Sequence, residues 1–165
     1  MKVVKLLPLL AIVTLFSLTS CSTDSIVEDE ISTIEVPVAP EAKQIEIEIM
    51  ELINTYRINE GLNPLSGHNT VKAVAFTHTD YMIEVDNVSH DNFFLRKQSL
   101  ETNASANIVS ENVAYGFSSA ESVVNAWLNS PSHKENIEGD FTNFDVSAEQ
   151  NEEGKWYFTN IFIKR

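Results

Sequence analysis

Only one cysteine, Cys21, occurs in 165 residues, so the chain can build no internal disulfide framework, no thiolate zinc finger and no CxxC redox pair. Basic side chains are scarce: 11 Lys plus Arg face 24 Asp plus Glu, a formal net charge of -13. Phosphate backbones are repelled by such a surface, which removes nucleic acid from the expected partners. Glycine and proline number five each, too few for a fibre or a low-complexity tail. No Gly-rich phosphate cradle, no G-x-S-x-G nucleophile elbow and no H-E-x-x-H zinc helix occurs. Long apolar runs are missing outside the N-terminus, which excludes a polytopic membrane protein. What remains is a 43% hydrophobic composition, that of an ordinary globular chain with an acidic bias.

Residues 1–20 carry a positive start (Lys2, Lys5), an apolar run from Val3 to Leu18 and a small, polar end, the layout of a signal peptide. The run closes in Leu18-Thr19-Ser20-Cys21, which resembles the lipobox of bacterial lipoproteins, where the cysteine becomes the acylated first residue of the mature chain. That reading makes Cys21 a lipid attachment point and the protein extracytoplasmic, held to the membrane by its acyl chains. The alternative is a plain secretory signal with Cys21 as a bystander. Residues 21–40 contain Asp24, Glu28, Asp29, Glu30, Glu35 and two prolines without periodicity, an expected acidic flexible tether. Acidic residues directly after the cysteine also resemble signals that send some lipoproteins to the cell surface, although a solvated linker accounts for them equally.

Residues 41–165 suffice for one core. Ile45, Ile49, Leu52, Ile53 and Tyr56 recur at helical spacing and stop at Gly61, predicting a first helix over 41–60. Asn69 is placed to cap a second helix whose apolar face runs through Val71, Val74, Ala75, His78 and Met82 to about Asp86. Ser118 and Glu121 have capping-box spacing before Val123, Val124, Trp127 and Leu128, with Pro131 as the stop and a helical turn expected over 132–136. The period then changes to two: Phe144, Val146 and Ala148 alternate with polar residues, a turn follows at 151–154, and 156–163 is aromatic and β-branched throughout. This predicts a hairpin with a central last strand, and Ile108 to Ala114 offers a further strand.

Four segments then stand in order: Arg57-Ile58-Asn59-Glu60-Gly61-Leu62-Asn63-Pro64-Leu65, Val88-Ser89-His90, Glu111-Asn112-Val113-Ala114-Tyr115-Gly116, and Ala126-Trp127-Leu128-Asn129-Ser130-Pro131-Ser132-His133-Lys134-Glu135-Asn136-Ile137. Together they resemble the CAP superfamily (cysteine-rich secretory, antigen 5 and pathogenesis-related proteins) in its bacterial SCP-like branch. The resemblance implies an α/β domain, an α-β-α sandwich with a small antiparallel sheet covered by helices on both faces. It implies a cleft in which His90, Glu111 and His133 converge and can hold a divalent metal such as zinc. Ser110 stands where the family's Glu-Asn motif usually has glycine, and Tyr157-Phe158-Thr159-Asn160 stands where eukaryotic members carry a second cleft histidine, so the animal-type constellation is incomplete here.

Imidazoles and a carboxylate are competent zinc ligands, and three of them leave a position for water or substrate. The alternative makes His90 and His133 loop-tying hydrogen-bond partners and Glu111 a buried carboxylate that satisfies loop amides. His78 is expected as a satisfied core histidine, and Trp127, Trp156, Phe141, Phe144, Phe158 and Phe162 as core. The functional expectation is a membrane-tethered module that binds a small apolar molecule, a peptide or an envelope component. The enzymatic alternative is a metal-assisted hydrolase using His90, Glu111 and His133, and a third is a structural or defence-related envelope protein without a ligand.

Overall fold

The computed structural model describes residues 36–165. The expected signal peptide over 1–20, the acylated Cys21 and the tether as far as residue 35 lie outside the described residues. Five helices and three strands follow in the order α1 (Gln44–Asn59), α2 (Asn69–Glu84), α3 (Phe93–Ala104), β1 (Ile108–Tyr115), α4 (Ala120–Leu128), α5 (Pro131–Glu138), β2 (Asn143–Gln150) and β3 (Trp156–Lys164). Before α1, Val36 already packs on the domain core, ahead of the expected start at Glu41.

Local chemistry sets the element ends. Gly61, at φ 75°, ends α1, with Leu62 N–H returning to Arg57 O at 2.8 Å and Gly61 N–H to Ile58 O at 3.0 Å. Asp86, at φ 48°, ends α2 in the same way, through Asn87 N–H to Met82 O and Asp86 N–H to Ile83 O. Both are Schellman closures, which need a left-handed residue after the last turn. At the start of α2, Asn69 is the first helical residue and His68 takes the cap position. The cap of α4 is Ser119, paired reciprocally with Ser122, in place of the expected Ser118 and Glu121 pair. Pro131 opens α5 as its first residue, where its missing N–H costs nothing.

The sheet has the order β1-β3-β2 and is antiparallel throughout, so the last strand is the central one, as its two apolar faces predict. Phe158 and Phe162 of β3, Phe144, Val146 and Ala148 of β2 and Ala114 of β1 join one core with Ile49, Ile53, Val123, Val124, Trp127 and Ile137 of α1, α4 and α5. Ile161 and Ile163 face the other way, into a core made with Val71, Val74, Ala75 and Leu100 of α2 and α3. Helices therefore cover both faces. Trp127 is buried edge-on against Phe158, with ring centroids 6.5 Å apart, and Phe141 and Trp156 sit at the margin of the same core.

Each outer strand presents backbone groups that would invite pairing with another chain, and side chains occupy many of them. On β1, Asn136 Nδ2 donates to Glu111 O at 3.2 Å and Trp127 Nε1 donates to Val113 O at 3.2 Å. On β2, Lys72 Nζ donates to Val146 O at 2.8 Å, Glu46 Oε1 accepts from Ala148 N–H at 2.8 Å, and Ser66 exchanges bonds with Thr142 and Phe144. Lys72 and Glu46 are themselves paired at 2.5 Å and buried. Asp145 lies beside them, accepting from His68 N–H and from Val146 N–H; burial outweighs these bonds and pushes its carboxyl up to about 6.

Candidate functional site

Residues 111 and 112 point to opposite faces of the edge strand β1, because successive side chains in a strand alternate. Glu111 turns towards α2 and α3, and Asn112 turns towards α5. One dipeptide thus ties both helical layers to the strand, and the loops and helix starts that meet there carry His90 and His133.

On the α2 and α3 side, the Glu111 side chain is 1% exposed. Arg96 of α3, itself 2% exposed, grips it as a fork: Nε donates to Oε2 and an η-nitrogen to Oε1, both at 2.7 Å. The remaining η-nitrogen of Arg96 donates to Asp91 O at 2.5 Å and so holds the loop before α3. His90 Nδ1 lies 2.8 Å from Glu111 Oε1. With that nitrogen donating to the carboxylate, the neutral ring keeps its lone pair on Nε2. The His90 side chain is 53% exposed, so one edge of the ring is anchored and the other is open. Burial alone would push the Glu111 carboxyl up; the bonds from His90 and Arg96 and the arginine charge overcome it and hold the group below its ordinary value.

His78 of α2 completes the buried side. Its Nε2 bonds Ser89 O at 2.8 Å and lies 3.9 Å from Glu111 Oε1. Burial, first, and the Arg96 and His90 charges lower its pKa against the pull of Glu111. It is the satisfied core histidine that its place on the apolar face of α2 predicts.

On the α5 side, Asn112 Nδ2 donates to His133 O at 3.0 Å, and Asn136 Nδ2 donates to Asn112 Oδ1 at 2.8 Å. Ser110 Oγ donates to Asn136 Oδ1 at 2.6 Å. This amide chain latches α5 to β1 and fixes the backbone from which His133 projects. His133 is half-buried; burial lowers its pKa, and the nearby His90 lowers it further. The far end of α5 is held by buried Arg57, whose side chain donates to Ile137 O at 2.6 Å, Gly139 O at 3.0 Å and Asn63 O at 2.8 Å.

Of the three residues expected to converge, His90 bonds Glu111 and lies near enough to His133 to act on its charge, while Glu111 is buried as the partner of Arg96 and His90. The arginine fork and the imidazole already take three of the roughly four lone-pair positions of this carboxylate, so a metal bound by all three residues would have to share Glu111 with a buried guanidinium. Among the described residues no group of three His, Cys, Asp or Glu side chains is arranged to hold a metal ion. Tyr157, Phe158, Thr159 and Asn160 lie wholly buried in the central strand, far from offering a cleft donor. Arg96, Asn112 and Asn136 are the site residues that sequence reasoning did not single out. The available signal for Arg96 was scarcity, since the chain has three arginines and two of them, Arg57 and Arg96, are buried.

Comparison with known proteins identifies the domain. Residues 50–162 match the profile of CAP, the cysteine-rich secretory protein family. An uncharacterized membrane protein of Bacillus subtilis (strain 168), YlbC, is 30% identical over 124 residues; these are 73% of this chain, which spans only 34% of that protein. Among solved structures, an outer surface protein of Borrelia burgdorferi superposes with a TM-score of 0.67 at 27% identity, over 78% of this chain and 99% of that one. An extracellular protein containing an SCP domain from Bacillus anthracis (strain Ames) gives 0.64 at 25% identity, over 73% and 40% of the two chains. A cysteine-rich secretory protein of Staphylococcus aureus shares the fold, with a TM-score of 0.61 at 18% identity, over 76% of this chain and 41% of that one. Among the described residues no helix is long and apolar enough to cross a membrane. The family match over residues 50–162, the helix-covered three-stranded sheet and the likeness to bacterial SCP-domain structures together make this chain a member of the CAP superfamily, in its bacterial SCP-like form.

Proposed function

We propose that the protein is a lipid-anchored, extracytoplasmic binding module. Acylated Cys21 holds it to a bacterial membrane, the acidic residues that follow space the domain from the surface, and the cleft carrying His90 and His133 receives a peptide. The observation that carries the binding reading is the commitment of Glu111: with both oxygens held by Arg96 and His90, the buried carboxylate serves as their counter-ion, which favours binding over metal-assisted or base chemistry at this residue. What the cleft offers a ligand is hydrogen bonding from two imidazoles. Val88 and Phe94, the latter 72% exposed, flank His90 in the chain and supply apolar contact. Hydrogen-bonding groups beside apolar side chains suit peptide better than a purely apolar molecule.

One observation favours the hydrolase alternative: His90 is held by a carboxylate on Nδ1 with Nε2 open, the orientation of a general base. A direct comparison separates the two. The full chain is immobilised, a pooled peptide library is passed over it, and the same library and an ester panel are assayed for turnover. Retention lost in His90→Ala with His133→Ala, with turnover at background, is the expected result. Turnover that disappears in His90→Ala overturns the binding reading in favour of the enzyme. Anchoring is tested separately: growth with a clickable fatty acid should label the full chain and leave Cys21→Ser unlabelled, and equal labelling of both sinks the lipoprotein assignment.

A further inference from the structure

We propose that Arg96 is the resident cation of this cleft, seated on the Glu111 carboxylate in place of a divalent metal, so that the two imidazoles meet their ligand without one. Three features of the geometry carry this. The guanidinium fork takes both carboxylate oxygens at 2.7 Å, the bidentate arrangement in which arginine binds most specifically. The pair is buried, and Arg96 is anchored a third time, at Asp91 O. Releasing Glu111 to a metal would therefore strand a buried guanidinium without its counter-ion, which is far costlier than breaking a surface pair. The remaining groups around Glu111 are His90, bonded at 2.8 Å, and His78 at 3.9 Å, so an incoming cation would meet the guanidinium charge and one imidazole that already uses this carboxylate.

Arginine stays protonated across the accessible pH range. The cleft thus keeps one fixed, internally neutralised charge pair whatever the metal supply outside the cell. His90 is oriented by Glu111 in the way that an outer carboxylate orients a zinc-bound histidine, but here that orientation serves hydrogen bonding to a ligand. Only this last consequence rests on the cleft being a binding face; the exchange of metal for arginine stands or falls without it.

The test is zinc titration by calorimetry on the full chain, with thermal melting in the presence and absence of EDTA. Wild type is expected to show no saturable site that depends on His90, and EDTA is expected to leave its melting temperature unchanged. Arg96→Gln uncovers the carboxylate and should gain a site binding zinc about tenfold or more tighter than wild type. Adding Glu111→Gln to that variant should abolish the gain. Arg96→Lys, which keeps the charge but donates as a point and frees one oxygen, is the folded comparison should Arg96→Gln prove unstable. One zinc per wild-type chain, lost in His90→Ala, overturns the proposal, as does a folded Arg96→Gln with no gain. Zinc results as expected together with failed peptide capture would remove the binding reading and leave the role of Arg96 standing.

Discussion

Replacing Arg57 by methionine should loosen α5 and with it the backbone that carries His133. Methionine keeps much of the aliphatic stem that packs in the core, so the perturbation falls on the guanidinium. Its loss removes three donors, to Ile137 O, Gly139 O and Asn63 O. Two of these carbonyls lie at the C-terminal end of α5, where a positive charge also complements the helix dipole. Bonds to a charged donor contribute about 1.5 kcal/mol each after exchange with water, and abandoned carbonyls are only partly rewetted, so the expected loss is about 4 kcal/mol. With a urea slope of about 1.5 kcal/mol per M, the unfolding midpoint should fall by about 2–3 M at unchanged slope. Amide exchange in α5 should rise more than in β3, because the lost bonds hold that helix and not the sheet. A midpoint shift under about 0.5 M would mean that water or local chain movement replaces the guanidinium, and would refute its role as the clasp of α5.

Breaking the other buried arginine pair should also cost heavily: Glu111→Gln leaves Arg96 charged and unmatched, an expected loss of about 3–5 kcal/mol, while Glu111→Leu with Arg96→Met should recover much of it; equal losses in the single and double variants by thermal melting would refute the coupling. Asn136→Ala removes the latch between α5 and β1, with an expected cost of about 2 kcal/mol and a changed His133 imidazole resonance; an unmoved resonance would mean that Asn112 alone sets that position. Asp145, raised to about 6 by burial, favours the protonated form in the folded state, so its unfavourable contribution is present at pH 7 and is relieved as pH falls through 6. His68, His78 and His133, lowered chiefly by burial, act in the opposite sense: folding favours their neutral forms, and the stability they contribute is lost as pH falls through their ordinary range. The readable quantity is therefore the difference between wild type and Asp145→Asn. The variant should be more stable by about 2–3 kcal/mol at pH 7 and lose that advantage towards pH 4; a flat difference would assign Asp145 an ordinary titration.

Elements whose buried faces are apolar were legible in the chain. Ile49 and Ile53, Val71 and Val74, Val123 and Trp127, and the alternation of Phe144, Val146 and Ala148 each declare a period that matches the element they form. Helix α3 was not legible, for a reason that its burial makes plain. Its buried positions are Arg96, Ser99, Leu100 and Ala104, a correct helical spacing in which two of the four members are polar, while Phe94 beside them is exposed. A hydrophobicity pattern reads that segment as irregular. Its ends carry no glycine either, since Asn92 at φ 59° and Ser105 at φ 54° take the left-handed positions themselves.

The same physics divides the site. His90, Glu111 and His133 were legible because their motifs are local in sequence, a few residues each. Their relations were not, because a carboxylate's role depends on what faces it across the fold, and the group facing Glu111 lies on the one helix the pattern concealed. An unmatched Glu111 beside two histidines is a metal ligand by its chemistry; the same Glu111 under a guanidinium fork is a counter-ion that aims an imidazole. Arg96 is buried because Glu111 pairs with it, and α3 can tolerate a polar residue at a core position for the same reason. The missed helix and the revised role of Glu111 are therefore one fact, read once in the fold and once in the cleft.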